Sequence, residues 1–235
     1  MPLLVTLLSG ISFFIGYFIT RFIKNEKKLV TFSIGFAFSI IFGLIAFDLL
    51  PEVIEFGNWV IIISCMIGGI ALLKLLDIFV PEHSHETKHK KDHIEHIGLI
   101  SAIALFLHNI VEGTAIYTSA LTDIKIGTFM ALGVAFHNIP LGIQISSLIH
   151  EKKNKLLLLA CLALSSVLGV LVINIFSLNI NSLFEGILLS ITLGMLIYLL
   201  LFELLCEVRE NMKKKELIIG LLVGLLFILL GHFIG

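Results

Sequence analysis

The sequence predicts an all-α polytopic membrane protein, and two observations predict it. Of the 235 residues, 58% are hydrophobic and only 14% are charged. The apolar residues also come in long blocks, whereas a membrane β-barrel shows segments of about ten residues with alternating polarity. A helix that crosses the hydrocarbon core of about 30 Å needs roughly 20 mostly apolar residues. Long apolar blocks therefore predict helices that span a bilayer.

Eight blocks are long enough to span. We predict transmembrane helices over about residues 3–23, 29–50, 58–80, 97–119, 126–149, 156–177, 183–206 and 216–234. The first block lacks a basic leading region and a small-residue cleavage site, and its positive charges follow it, so we expect a retained helix rather than a signal peptide. The eight spans predict one transmembrane domain over residues 1–235.

Basic side chains predict the orientation of these helices. Fourteen lysines and arginines follow helices one, three, five and seven, whereas the connections of opposite parity hold only Lys125. Positive charge collects in cytoplasmic loops. We therefore expect those four connections in the cytoplasm, both termini on the extracytoplasmic side, and a multi-pass protein of the plasma (cell inner) membrane.

A short motif occurs twice in the chain. "FDLLPEV" at 47–53, near the end of helix two, recurs as "FELLCEV" at 202–208, near the end of helix seven. By the charge count the two copies end on opposite sides of the membrane, and related segments in opposite orientation are typical of inverted repeats in secondary transporters. Seven residues can also match by chance in leucine-rich sequence. If the repeat holds, helices one to three and six to eight are its halves, in a 3+2+3 arrangement around helices four and five.

Helices four and five carry the densest polar chemistry. Helix four contains "LHNIVEGTA" and helix five "FHNIPLGIQ". His108 and Glu112 are four residues apart, about 40° around the helix axis and one turn along it, so their side chains can converge on one cation. His137 at the matching depth of helix five can add an imidazole. Amide oxygens are available from Asn109, Asn138 and Gln144.

This donor set favours a first-row divalent metal. Two imidazoles, one carboxylate and open positions suit zinc, iron(II), manganese or cobalt, whereas calcium and magnesium prefer all-oxygen cages. Intramembrane histidines and asparagines also serve as interhelical hydrogen-bonding residues, and that structural alternative stays open. A charged group at a helix centre costs about 2.5–3.5 kcal/mol, and Glu112 has no Lys or Arg at comparable depth, which favours a cation site. Pro140 is predicted to kink helix five and expose carbonyls nearby.

With these motifs the chain resembles the ZIP family of divalent-metal transporters, whose hallmarks are H-N-x-x-E-G in helix four and H-N-x-P-E-G in helix five. The resemblance implies the 3+2+3 arrangement with inverted repeats and a metal held between helices four and five. It also implies movement of metal toward the cytoplasm, by an elevator-like displacement of one bundle. Mapped by position, the family's main site falls on His108, Glu112 and His137, with Asn109 and Asn138 as neighbouring or second-site ligands.

The chain departs from the family pattern at the second metal position. Leu141 stands where the hallmark has a glutamate that bridges two metals in binuclear members. Helix six reads "SSVLGVLV" at 165–172 and lacks the acid that also serves the second metal. We therefore expect a single transport site, or a second one too weak to matter, and the choice of metal is open.

Two further groups of residues are candidates for weaker metal contacts. The predicted cytoplasmic loop 81–96 is histidine-rich, as short metal-binding tracts are, and an incidental solvated linker is the alternative; its histidines are His83, His85, His89, His93 and His96. Acids near the ends of helices two and seven could attract incoming cations or receive departing ones, although interfacial solvation explains them as well; they are Asp48, Glu52, Glu203 and Glu207.

One alternative function uses the same cluster. An intramembrane hydrolase would also hold a catalytic zinc with histidines and a carboxylate. Within the predicted spans H-E-x-x-H is absent, since its one match in the chain, "HETKH" at 85–89, lies in the loop, and no serine or cysteine is coupled to an obvious base, so we expect a transporter and not an enzyme. The expected partners are the divalent ion, as substrate and not as cofactor, and the lipid bilayer. We expect no nucleic acid, and a homodimer is one open assembly.

Overall fold

In a computed structural model, the backbone is described for residues 1–22, 25–79, 89–149, 151–176 and 182–234. These residues contain helices and no strand, and the helices form eight continuous segments. They are α1 (Pro2–Thr20), α2 (Glu26–Gly43) joined through π-helix π1 (Leu44–Leu49) to α3 (Leu50–Phe56), α4 (Trp59–Phe79), α5 (His89–Thr122), α6 (Ile124–Leu148), α7 (Lys152–Phe176), α8 (Ser182–Tyr198) joined through π2 (Leu199–Leu204) to α9 (Leu205–Asn211), and α10 (Lys215–Ile234).

The described helices are those of an integral, multi-pass membrane protein. Five stretches are long and apolar enough to cross a bilayer: Pro2–Thr20, Lys27–Phe56, Ile94–Leu121, Lys152–Val172 and Gly186–Asn211. Several helices extend past the apolar blocks from which they were predicted. α5 begins at His89 and not near residue 97, because Lys, Glu and similar residues propagate a helix beyond the hydrocarbon core. The second half of the predicted 81–96 loop is therefore helical.

The two π-helices fall at the same place in the two copies of the repeated motif. Each has six residues, ends at the third residue of its motif, and is followed by a helix of seven residues. π-Helices are rare and usually mark functional positions. A matched pair in the same register is a structural counterpart of the sequence repeat.

Interhelical contacts in the bundle also occur in matched pairs. Gly113 of α5 packs against the backbone of Ser166 in α7. Gly142 of α6 packs against the backbone of Phe13 in α1. Gly169 of α7 lies against the Ile110 carbonyl, and in the same way Gly16 of α1 lies against the Ile139 carbonyl. The spacing is the same in both sets, so the α5–α7 pair and the α6–α1 pair are packed alike.

The remaining helices pack as α2 with α10 and α4 with α8. These two interfaces have matching contacts. Gly224 of α10 lies against the Phe36 carbonyl of α2, and Gly69 of α4 lies against the Ile191 carbonyl of α8. The Ser39 hydroxyl donates to the Leu221 carbonyl at 2.8 Å, on the α2–α10 interface. The bundle thus has one group of helices formed by α1, α5, α6 and α7, and a second formed by the others.

Candidate metal-binding site

His108 and Glu112 meet on one face of α5. The distance between His108 Nε2 and Glu112 Oε1 is 3.1 Å. The His108 side chain is 2% exposed and that of Glu112 is 16% exposed, so the pair is largely buried. Two ligands of one tetrahedral ion at bonds of 2.0–2.1 Å lie about 3.3 Å apart, and two adjacent ligands of an octahedral ion about 2.9 Å apart. The observed separation lies between these values.

The contacts between α5 and α6 show at which level along the helix axis residue 137 lies. Gly127 packs on Ala120 near one end of the two helices, Gly98 packs on Leu148 near the other, and Ser101 bonds to Gln144 between them. In each contact the two residue numbers add to about 246. By this antiparallel register, the backbone of residue 138 lies level with His108, and that of residue 137 lies level with Asn109. The side chain of His137 lies outside the described residues.

Asn109 and Asn138 each bond to a neighbouring helix. Asn109 Nδ2 donates to the carbonyl of Leu162 in α7 at 3.2 Å, and Asn138 Nδ2 donates to the carbonyl of Ser9 in α1, also at 3.2 Å. Both side chains are 1% exposed. Neither Oδ1 accepts a hydrogen bond from the part of the chain that the structure describes. The two amides therefore tie α5 to α7 and α6 to α1.

Gln144 lies deeper toward the predicted cytoplasmic side. Its Nε2 donates to Ser101 Oγ at 3.3 Å, and both side chains are fully buried. Ser101 precedes His108 by seven residues, which is about 10 Å along the helix axis. The structure thus does not bring Gln144 to the His108–Glu112 pair. Sequence reasoning missed Ser101, although its seven-residue spacing puts it on the same face of α5 as His108.

The second metal position of the family motif is apolar here. Leu141 is fully buried in the hydrophobic core. On α7, the hydroxyls of Ser165 and Ser166 are used within the bundle: Ser165 donates to the Leu162 carbonyl at 2.7 Å, and Ser166 to the Ala163 carbonyl at 3.3 Å. At the positions where the family motif has acids for the second metal, the described residues are thus a leucine and serines.

α6 continues through Pro140 as one helix from Ile124 to Leu148. Because proline has no backbone N–H, the carbonyl of Phe136 lacks its usual helical donor. The proline thus leaves one carbonyl without its helical hydrogen bond, as predicted from its chemistry, and it does not end the helix.

The other predicted candidates are spread over the two helix groups. His83 and His85 lie outside the described residues, as do the side chains of His89 and His93, whereas His96 is buried on α5. Of the acids, Glu52 is exposed on α3, Glu203 is half-buried in π2, and the side chain of Asp48 in π1 lies outside the described residues. Within the described residues, no three His, Cys, Asp or Glu side chains form a metal-sized group.

Glu207 on α9 is 4% exposed and belongs to a polar cluster. Asn211 Nδ2 donates to Glu207 Oε2 at 3.3 Å, and Lys214 Nζ donates to Asn211 Oδ1 at 2.6 Å. This cluster lies in the second group of helices, apart in sequence from the His108–Glu112 pair. Asn211 thus links Lys214 to the buried acid.

Comparison with known proteins identifies relatives over most of the chain. A family model described as ZIP zinc transporter matches residues 80–234. A zinc transporter ZupT of Akkermansia muciniphila is 32% identical over 149 residues, which are 53% of this chain and 55% of that relative, so this match spans about half of the relative's length. A zinc transporter ZupT of Clostridium perfringens is 29% identical over 96% of this chain and 92% of its own. A third, from Oceanobacillus iheyensis, is 28% identical over 83% of both chains.

Proposed function

The chain belongs to the ZIP zinc transporter family, and on that premise we propose that it carries a divalent first-row metal ion across the membrane into the cytoplasm. Zinc is the first candidate, since the relatives above are named zinc transporters. Iron(II), manganese and cobalt suit the same donors. The substrate ion would be held between α5 and α6 by His108, Glu112 and His137.

One observation carries this proposal: the 3.1 Å separation of His108 Nε2 and Glu112 Oε1 in a largely buried position. Histidine binds metals through an unprotonated nitrogen and a carboxylate binds them in its ionised form, so protons compete with the metal for both ligands. The register of α5 and α6 supports a third ligand from residue 137 at the same depth. Metal binding at this site should therefore weaken as the pH falls.

We further propose that the site holds one metal ion. The support is chemical: Leu141 places an alkyl group at the position of the bridging carboxylate, and α7 offers only hydroxyls that already donate to carbonyls. A second divalent ion in this position would lack a negatively charged ligand. Only the neutral amide oxygens of Asn109 and Asn138 would remain as ligands for that ion.

The architecture we propose around this site is the 3+2+3 arrangement with inverted repeats and both termini outside. Its support is the matched π-helices and the matched contacts of α5–α7 and α6–α1. The group α1, α5, α6 and α7 would then be the unit that moves relative to the other helices. Glu52, Glu203 and Glu207, together with Asp48, would line the approach and exit.

The hydrolase alternative shares the same metal ligands and differs in outcome. A hydrolase needs a base or nucleophile beside the metal-bound water. Within the described residues, the polar groups next to the pair in sequence are the Asn109 amide and the Thr114 hydroxyl, and both donate to backbone carbonyls. That environment favours transfer of an ion over attack by water, and we propose a transporter that is not an enzyme.

Transport into proteoliposomes tests the function. Vesicles would enclose a metal-sensitive dye, and zinc, iron(II), manganese or cadmium would be added outside. Wild-type protein should give metal-dependent dye signals that Glu112→Gln and His108→Ala abolish. Glu55→Gln, which neutralises an exposed acid on α3, is the matched control and should transport like wild type.

Binding stoichiometry tests the single site. In protein whose His83, His85, His89 and His93 are replaced by serine, titration should show one tight equivalent, lost in His108→Ala. Two tight equivalents would rule out the single-metal proposal. Absence of flux for all four metals, with turnover of lipid or peptide instead, would rule out the transporter.

A further inference from the structure

Each site helix carries a buried hydrogen bond that the proposed transport chemistry does not use. In α5 and α6 alike, the residue that follows the histidine is an asparagine whose amide nitrogen donates to a carbonyl of another helix, at 3.2 Å in both cases. We propose that Asn109 and Asn138 are positioning residues. Their amides set the rotation of α5 on α7 and of α6 on α1, and thereby the placement of the histidines that precede them. This inference rests on the proposed function.

The chemistry of the two partners fixes how the amides point. The carbonyls of Leu162 and Ser9 can only accept, so the side-chain atom that faces each of them is the amide nitrogen. The partner is a backbone atom of a close-packed helix and cannot turn away as a side chain could. Each asparagine is therefore held in one orientation and holds its helix in return.

Close packing makes each hydrogen bond part of a rigid seam. Four residues after Asn109, Gly113 packs on the backbone of Ser166, which follows Leu162 by the same four residues. The corresponding step after Asn138 brings Gly142 against Phe13, four residues after Ser9. The glycines allow the backbones to touch but do not select one rotation, since they present no directional group. The asparagine hydrogen bonds provide that direction.

Small rotations of α5 matter at the position of the metal ligand. A side-chain atom at about 5–6 Å from the helix axis moves by about 1 Å when the helix turns by 10°. Metal and catalytic sites tolerate errors of about 0.5 Å. The His108 nitrogen and the Glu112 oxygen move together because they share α5, but their distance to any ligand from α6 changes. The anchors of both helices therefore control whether a shared ion can be held.

Asparagine-to-aspartate substitution separates positioning from coordination. If Asn109 served mainly as a metal ligand, a carboxylate would bind the ion more tightly than an amide oxygen. If it serves as an anchor, the substitution removes the donor and puts an oxygen against the Leu162 carbonyl. The two roles thus predict opposite signs for the change in metal affinity.

The experiment measures cobalt(II) binding and helix spacing in the same variants. Full-length protein would be titrated with Co²⁺, read by its visible absorption, as wild type, Asn109→Asp, Asn109→Ala and Asn138→Asp. Spin labels at Thr118 of α5 and Leu171 of α7, in protein with its three cysteines replaced by serine, report the α5–α7 distance without metal. Ser39→Ala is the control, because it removes an interhelical hydrogen bond of the α2–α10 interface.

We expect both aspartate variants and Asn109→Ala to weaken Co²⁺ binding by about 10- to 100-fold, as loss of groups that orient ligands does. The Thr118–Leu171 distance distribution should shift or broaden in Asn109→Asp and Asn109→Ala. Ser39→Ala should lower thermal stability and leave Co²⁺ affinity unchanged. If the aspartate variants do not fold, Asn109→Ala decides by the same two readouts.

Equal or tighter binding by Asn109→Asp would overturn the positioning role, as would weaker binding with an unchanged α5–α7 distance. Failure of the proposed function is a separate result. In that case the wild type would show no Co²⁺ site that His108→Ala removes, while the distance measurement would still decide whether Asn109 anchors α5.

Discussion

At position 141, α6 presents a fully buried leucine where the related motif carries a glutamate. A buried alkyl group contributes to packing and gives a metal ion nothing to bind. The amide nitrogen of Asn138, three residues earlier, donates to the carbonyl of Ser9. Leu141 is thus committed to packing, and Asn138 would offer a second ion only a neutral amide oxygen.

Leu141→Glu tests this difference directly. The new carboxylate would be buried without a cationic partner, at a cost of about 2.5–3.5 kcal/mol. We expect the melting temperature of the metal-free protein to fall by about 5–10 °C. Zinc should then stabilise the variant by more than it stabilises wild type, because the ion neutralises the new charge. Thermal unfolding with and without zinc gives both values.

Leu141→Gln is the matched control for that measurement. It has nearly the same shape and no charge, so it should lose stability without an added gain from zinc. If the glutamate and glutamine variants gained equally from zinc, position 141 would lie away from the metal, and the argument for a single site would lose its basis.

At the scale of elements, hydropathy was sufficient to predict an all-helical membrane protein but not the ends of its helices. α5 starts at His89 because the helix continues through charged residues that a hydropathy block does not include. The His108–Glu112 pair followed from a spacing of four residues on one helix. The partners of Asn109 and Asn138 did not, because they are backbone carbonyls of distant helices and leave no signal in side-chain type. The π-helices likewise depend on hydrogen bonding that composition does not encode.

The close contact of α6 with α1 predicts that a larger residue at position 142 lowers stability and metal binding. Gly142→Ala would place a methyl group against the backbone of Phe13, which cannot move aside without separating the helices. Overpacking of this kind costs about 1–3 kcal/mol. We expect a lower melting temperature and weaker metal binding, since α6 carries His137. Differential scanning fluorimetry and metal titration measure the two effects.

Gly68→Ala controls for the exchange of glycine by alanine within an apolar helix. A methyl group there would meet no atom within 4 Å among the described residues. Alanine also favours the helix by about 1 kcal/mol over glycine, so this variant should be as stable as wild type or more so. A similar loss of stability in both variants would show that contact with α1 is not the cause.

At the scale of the whole molecule, the distribution of charge and the matched helices support the same topology. The basic residues follow alternate helices, and the matched helix pairs α5–α7 and α6–α1 run in opposite directions through the bundle by the register of α5 against α6. In this topology the connection that carries Lys125 lies outside, and the connection that carries Lys153 lies in the cytoplasm. In this topology the histidine-rich segment 81–96 would lie on the side that receives the ion in the proposed inward transport.

Single cysteines at these two lysines test the topology. Both side chains are exposed, and each lies near a helix start. In protein with the native cysteines replaced by serine, a membrane-impermeant maleimide added to intact cells should label Lys125→Cys at once. It should label Lys153→Cys only after the membrane is permeabilised. Retained metal uptake in both variants would show that the labelled protein is correctly folded. Labelling in the reverse order would place the termini in the cytoplasm and would contradict the proposed topology.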